Sequence, residues 1–378
     1  MKSIVTLIAA ASLLAAVAIA ESPRYTITDL GPVGQPPAQP YFITNNGLIG
    51  GAAAIPGGAM HLALWYKGQK IDIGTPGLGG PNSVAFGVNE RGQAVGQAQT
   101  SVPNSEDFCG FTANGLSPSA TTCLPFLWQY GVMTRLPTLG GANGYANMIN
   151  NRGEVVGYAE NNTQDAGCPV HQFEPVVWEN GKIRKLPTHT GDSYGVAAQI
   201  NDNGQVVGAS GACAAFNPNS GLYLVENHAL LWEKDGSVHD LGNLGGTGGI
   251  AGNHACALNN QGHVVGHSEL PNNTTFHGFL WTRETGMRDL GTFPGDYASL
   301  ALGINDRGDV VGASLDTSFN PRPLLWENGV MTDLNTRIAA NPSGLHLLLA
   351  ASINSRGEIV GLAVTSTGLH GFLATPAH

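Results

Sequence analysis

Seven times along the chain a line of the form I-N-x-x-G-x-V-V-G, or a close variant, returns, and such a recurrence limits the fold to architectures built from like units. The clearest copy is I-N-D-R-G-D-V-V-G at 304–312, and the copies centre on Gly47, Gly92, Gly153, Gly204, Gly262, Gly308 and Gly357. Asn opening a type I turn bonds its own backbone, Gly at the fourth position tolerates positive φ, and the Val pair begins a strand. Each copy therefore reads as a turn with a strand behind it.

Three further landmarks share the period. An alanine stands four residues before the turn Asn (Ala85, Ala146, Ala197, Ala255, Ala301, Ala350), with Pro40 in the first copy. A small residue recurring there predicts an inner strand where backbones crowd together. An apolar pair ending in Trp follows in six copies, at Trp65, Trp128, Trp178, Trp232, Trp281 and Trp326, and these are all the tryptophans of the chain. One Trp per unit at a fixed strand position predicts packing between stacked units, not an aromatic sugar platform. After each Trp comes a tight turn such as Glu327-Asn328-Gly329, a strong hairpin signal, and then a strand ending in Asp-Leu-Gly or a relative, as at Asp240-Leu241-Gly242 and Asp289-Leu290-Gly291.

Each unit thus comprises four short strands, and successive glycines lie about 45 to 61 residues apart, the size of a four-stranded propeller blade. The last unit stops after His370-Gly371-Phe372-Leu373 without an outer strand, while an orphan Tyr25-Thr26-Ile27-Thr28-Asp29-Leu30-Gly31 stands near the other end. The expected fold is an all-β, seven-bladed β-propeller of four-stranded blades, with the N-terminal strand (21–31) completing the last blade and removing an exposed edge. The expected blades span 38–74, 78–137, 139–187, 191–242, 245–291, 295–335 and 344–374, within a single domain over 21–378.

Met1-Lys2, an apolar run over 4–19 and Ala18-Ile19-Ala20 read as a cleaved signal peptide over 1–20, which places the protein outside the cell or in the periplasm with no membrane span after cleavage. The formal net charge of -10, with 12% charged residues and no basic cluster, argues against nucleic acid as a partner. Five cysteines in an exported chain predict disulfides and one spare thiol. The preferred pairing joins Cys109 to Cys123 and Cys168 to Cys213, leaving Cys256 as a buried small hydrophobe.

His277-Gly278-Phe279-Leu280-Trp281 followed by Met287-Arg288-Asp289-Leu290-Gly291, and Leu244-Gly245-Gly246 followed by Leu258-Asn259, resemble the HAF-repeat extracellular proteins, named for a His-Ala-Phe tripeptide. The resemblance covers nearly the whole mature chain and implies an exported bacterial repeat protein, without implying an activity. The tripeptide's His survives as His61, His228, His277 and His370, whereas Leu124, Glu174 and Arg322 replace it elsewhere. Its loss from three blades points to a strand-orienting role and not to a ligand in one common site.

In such blades the N-x-x-G and E-N-G turns share one face, and the other face gathers the loop after V-V-G and the link between blades. The long insertions 96–124, 157–172 and 208–228 all fall on that second face and carry four cysteines, which marks it as the expected binding face. At its mouth the links contribute Ser83, Asn143, Tyr145, His189, Asp192, Tyr194, Asn253, His254, Asp296, Tyr297 and His346. Tyr145, Tyr194, Asn253 and Tyr297 are the candidate ligand-binding groups, and His189, Asp192, His254 and Asp296 the candidate acids and bases. Asp192 and Asp296, in equivalent links, could also pair across the mouth. The alternative for each of these residues is that it caps the start of an inner strand. No G-x-S-x-G, H-E-x-x-H or C-x-x-C is present, and the Asn-Asp-x-Gly turns lack the spaced carboxylates of a calcium loop, so neither a cofactor nor a metal is expected. The expected function is binding, as a monomer, of a carbohydrate, cell-surface or protein partner. The alternatives are a hydrolase or lyase acting at the mouth on a saccharide or other small extracellular substrate, and a surface structural or adhesion protein.

Overall fold

The computed structural model describes residues 24–377 apart from 34–38, 56–57, 76–77, 105, 107–120, 218–221 and 248–250, so the expected signal peptide lies outside the described residues. Seven sheets follow one another along the chain, six with four strands hydrogen-bonded in sequence order. In the sixth blade, for example, Ala298–Ile304 is innermost, then Val310–Leu315, Pro321–Glu327 and Val330–Asp333. The only helical segments among the described residues are two short 3-10 turns, Pro271–Asn273 and Leu334–Arg337.

The ring closes as the orphan strand requires. Arg24–Pro32 pairs antiparallel with Gly368–Ala377, Ile27 opposite Ala374, and so supplies the fourth strand of the seventh blade. One strand was not legible in the repeat: Ile338–Ala340 adds to Arg24–Pro32 in parallel and makes this sheet five-stranded.

The recurring alanine and glycine have a common cause. Every inner strand breaks register just past its alanine position, as between Ala301 and Gly303 or Ala146 and Met148. Such a β-bulge bends the strand and sets two residues against one. At the alanine it packs with no exposed surface in all six copies. Opposite it, a Cβ on Gly312 of the V-V-G strand would lie 1.9 Å from the Leu300 carbonyl oxygen, and one on Gly157 equally 1.9 Å from that of Tyr145. Only glycine admits this approach.

Neighbouring blades are joined by two sets of bonds. The Trp rings are inter-blade packing, as expected: Trp65 Nε1 donates to the Leu30 carbonyl at 2.9 Å, Trp178 to Pro137 at 2.8 Å and Trp232 to Pro187 at 2.6 Å. Leu30, Pro137 and Pro187 each belong to the Asp-Leu-Gly landmark of the preceding blade.

The turn asparagines do more than cap their own turns. Asn305 Oδ1 accepts from Arg307 and Asp309 nitrogens at 3.0 Å each, the local role, while its Nδ2 donates 3.2 Å to the carbonyl of Asn354 in the next blade. The same donation runs from Asn89 to Asn150, Asn150 to Asn201, Asn201 to Asn259, Asn259 to Asn305, and Asn354 to Thr44. Thr44 has no amide to pass on, and there Asn46 Nδ2 bonds Glu90 O instead, at 2.9 Å. The turn-bearing face therefore carries a circular belt of side-chain amides, six of the links buried and the seventh, from Asn46, exposed.

In three of its four copies the His of the tripeptide ties the third strand to the outer strand. His61 Nδ1 lies 3.0 Å from Asp72, His277 3.0 Å from Asp289 and His370 2.9 Å from Asp29, in each case joining the third strand to the outer-strand Asp. In the third blade the pair is reversed in sign, with Glu174 in the His position and Lys185 in the Asp position forming an ion pair. This coupling explains why the landmark reads Lys-Leu-Pro there.

Candidate functional site

The bulge in each inner strand decides what faces the axis. Residues on either side of the alanine, together with the one beyond, turn into the channel, where they line a cavity of about 400 Å³. It occupies the half of the channel nearer the starts of the inner strands, which is the insertion-bearing end. The other end narrows to a pocket of about 120 Å³ enclosed by the asparagine belt.

The cavity wall is two-sided. Blades one to three contribute Tyr41, Phe86, Tyr145 and Tyr158, and the opposite side is small and aliphatic, with Ala198, Leu302, Leu349 and Ala351. The four rings touch in sequence, with centroids 5.2 Å (Tyr41–Phe86), 5.5 Å (Phe86–Tyr145) and 4.8 Å (Tyr145–Tyr158) apart. The run continues outward through Phe173 to Tyr194. Offset and edge-to-face contacts of this kind hold rings in fixed orientation. Burial pushes the Tyr41 and Tyr158 phenols well above their usual range, so both remain neutral donors. Gln39, Asn147 and Gln199 add amides to the lining.

His254 and Cys256 of the fifth blade complete the wall. His254 Nδ1 lies 2.7 Å from Glu226 Oε1, a carboxylate almost wholly buried in the preceding blade. Burial opposes the charged imidazole, but the Glu226 charge and hydrogen bond outweigh it and raise the His254 pKa. The ring stacks at 5.7 Å on His267, whose pKa falls to about 4 through burial and the His254 charge. Cys256 carries a free thiol, as expected, but it faces the cavity instead of filling a closed core. Burial followed by the Glu226 charge pushes that thiol far up, which leaves it protonated and a poor nucleophile.

Of the candidates drawn from the sequence, Tyr145 and His254 line the cavity and the others do not. Tyr194 is fully buried, its hydroxyl donating to Val170 O at 3.3 Å beside the disulfide. Asn253, also fully buried, accepts from Ser268 Oγ at 2.7 Å and donates to Asn227 O at 3.0 Å. Ser83 and Asn143 likewise cap strand starts, through Gly74 O at 2.8 Å and Cys123 N at 3.0 Å. Tyr297 donates to Thr274 O and packs on Phe319 at the rim, and His346 is exposed.

The envisaged carboxylate pair does not form. Asp192 is held by Ser210 Oγ at 2.6 Å and His228 Nδ1 at 2.8 Å, while Asp296 is held by Ser314 Oγ at 2.6 Å and Arg322 at 2.7 Å. Each carboxylate is committed to its own blade. His189 stacks on His228 with centroids 3.7 Å apart, outside the cavity.

Cys168 and Cys213 form the expected disulfide across two blades, with Cα atoms 6.0 Å apart. Cys123 is disulfide-bonded as well, and its expected partner Cys109 lies outside the described residues. Tyr41, Phe86, Gln39 and Gln199 stand outside the candidates drawn from the sequence. The signal was present: they flank, or stand two beyond, the recurrent alanine position, where a bulge directs side chains inward.

The class is settled by these seven radially arranged sheets: the chain is a seven-bladed β-propeller. No protein-family model and no curated protein matches it. Among solved structures it is similar to the oligogalacturonate lyase of Vibrio parahaemolyticus, with 11% identity over 92% of this chain and 93% of that one and a TM-score of 0.47. It is also similar to the WD40 propeller domain of Doa1, with 14% identity over 93% and 97% and a TM-score of 0.43. A third is the propeller domain of the Trilobed protease of Pyrococcus furiosus, with 10% identity over 84% and 98% and a TM-score of 0.38. These likenesses concern the fold.

Proposed function

We propose that the protein is an exported binding module of the HAF-repeat type, and that its ligand enters the channel from the insertion-bearing face. The carrying observation is the cavity of about 400 Å³ with an aromatic arc on one side and amides on its lining. That volume lies in the range of small-molecule sites. A short saccharide fits the chemistry: its C–H faces stack on rings such as Phe86 and Tyr145, and its hydroxyls meet Gln39, Asn147 and Gln199. The disulfide between Cys168 and Cys213 supports an oxidising compartment, outside the cell or in the periplasm. No helix among the described residues is long and apolar enough to cross a membrane.

Binding is favoured over hydrolysis or elimination because, of the four candidate acids and bases, only His254 reaches the cavity, so the acid–base pair expected from the sequence does not assemble there. Calorimetry of the mature protein with mono- to tetrasaccharides tests the reading. Tyr145→Ala and Phe86→Ala are each expected to weaken binding about 10-fold, the worth of one stacking contact. Unchanged affinity in both variants would overturn the assignment. Turnover of the saccharide that disappears in His254→Ala would favour the hydrolase or lyase instead.

A further inference from the structure

The fourth blade breaks the pattern that its sisters keep. In the first, fifth and seventh blades the third-strand His pairs with the outer-strand Asp. In the fourth, His228 turns instead to Asp192, and the outer-strand Asp240 stands 3.8 Å from Nε2 of a second imidazole, His189. A nitrogen of each ring and an oxygen of Asp192 lie within 4.8 Å of one another. Nδ1 of His189 is buried with no hydrogen-bond partner, a costly state for a polar atom.

The sixth blade shows what this scaffold is built to hold. Asp296, Ser314, Phe293 and Arg322 occupy the positions of Asp192, Ser210, His189 and His228. Ser314 Oγ donates to Asp296 at 2.6 Å and accepts from Phe293 N at 3.1 Å, and Ser210 makes the same two bonds, to Asp192 and from His189 N, at 2.6 and 3.1 Å. Against that fixed carboxylate the sixth blade places a permanent cation, the Arg322 guanidinium, 2.7 Å from Asp296 and 4.8 Å over the Phe293 ring. The fourth blade has the same anchored carboxylate, with two nitrogen donors in place of the guanidinium and the ring beneath it.

We propose that the fourth blade binds a divalent transition-metal ion of the zinc class through His189, His228 and Asp192. Two imidazoles and one carboxylate form a three-protein-ligand set for such an ion, leaving one position open, whereas calcium and magnesium prefer all-oxygen shells. Zinc ligands sit about 2.0–2.2 Å from the metal. Coordination therefore draws the three groups together and swings the His189 ring off the face of His228. The His189 side chain is 37% exposed, which gives it room to turn and the ion a path to enter. Ser210 fixes the carboxylate, and Asp240 stands ready to accept from Nε2 of His189 while Nδ1 faces the ion, the outer-shell carboxylate that commonly orients a metal-bound His.

The test uses chelator-treated mature protein, titrated calorimetrically with Zn2+ and followed by visible absorption with Co2+. One equivalent of Zn2+ and Co2+ d–d bands are expected, and no heat with Ca2+ or Mg2+. His189→Phe combined with His228→Arg rebuilds the sixth-blade arrangement, so this variant is expected to keep its unfolding temperature and lose both signals. Asp240→Asn should weaken Zn2+ binding about 10-fold, and His346→Ala should leave it unchanged. Failure of the wild type to bind Zn2+, or full stoichiometry in the double variant, would overturn the proposal.

Discussion

Asn305 separates two roles that one side chain performs, and its replacement measures the belt. Asn305→Ala removes the Oδ1 caps to Arg307 N and Asp309 N and the Nδ2 donation to Asn354 O. At about 1 kcal/mol net for each of these three bonds the expected loss is about 3 kcal/mol, because the Asn354 carbonyl still accepts from Gly357 N at 2.9 Å. Asn305→Asp isolates the inter-blade part. It keeps an acceptor for both turn nitrogens but presents a carboxylate to Asn354 O and to Asp309, whose Oδ2 now receives a 2.9 Å bond from Asn305 Nδ2. Both variants are to be unfolded in urea with tryptophan fluorescence as the readout. If the Asp variant stays within about 0.5 kcal/mol of wild type, the level of an ordinary surface change, the asparagine is only a turn cap and the belt reading is wrong. Thr44→Asn, at the one blade whose first turn residue has no side-chain amide, provides the complementary arm and should gain about 1 kcal/mol.

The disulfide between Cys168 and Cys213 closes a separation of 45 residues, which the chain-entropy relation values at about 4 kcal/mol. The Cys168→Ser, Cys213→Ser double variant should show that loss in the same assay, and a loss below about 1 kcal/mol would refute an entropic role. Acid sensitivity should trace to His267. Its pKa of about 4 in the folded chain lies below the unfolded value, so unfolding takes up a proton, and stability falls as the pH drops from about 6.5 towards 4. The span corresponds to about 3 kcal/mol, and His267→Gln should flatten the pH dependence of the unfolding midpoint over that window. His254, shifted upward, contributes in the opposite sense: its stabilisation is complete below the unfolded pKa and fades as the pH rises through the folded one.

The architecture was legible because each unit repeats its own instructions. Turn Asn, positive-φ Gly, paired Val and a fixed Trp specify strands and hairpins locally, and the missing outer strand after Phe372, matched by the orphan around Ile27, fixed the closure. Local codes cannot report which groups meet across blades. Asn305 declares its turn but not its neighbour's carbonyl, and the glycine of V-V-G gives no sign of the Leu300 oxygen that excludes a Cβ.

For the site, the sequence alone pointed to the loops of the insertion-bearing face, two of the cavity's residues, Tyr145 and His254, and the pairing of Cys168 with Cys213. Only the tertiary structure decided that Tyr194 and Asn253 are buried supports, that Asp192 and Asp296 stay apart, and that Tyr41, Phe86 and Gln199 line the channel. The reason is the bulge in every inner strand: it shifts the side-chain alternation by one at a point that strict two-residue periodicity cannot place. The ring then brings residues from blades far apart in sequence to one axis, where their chemistry is read together.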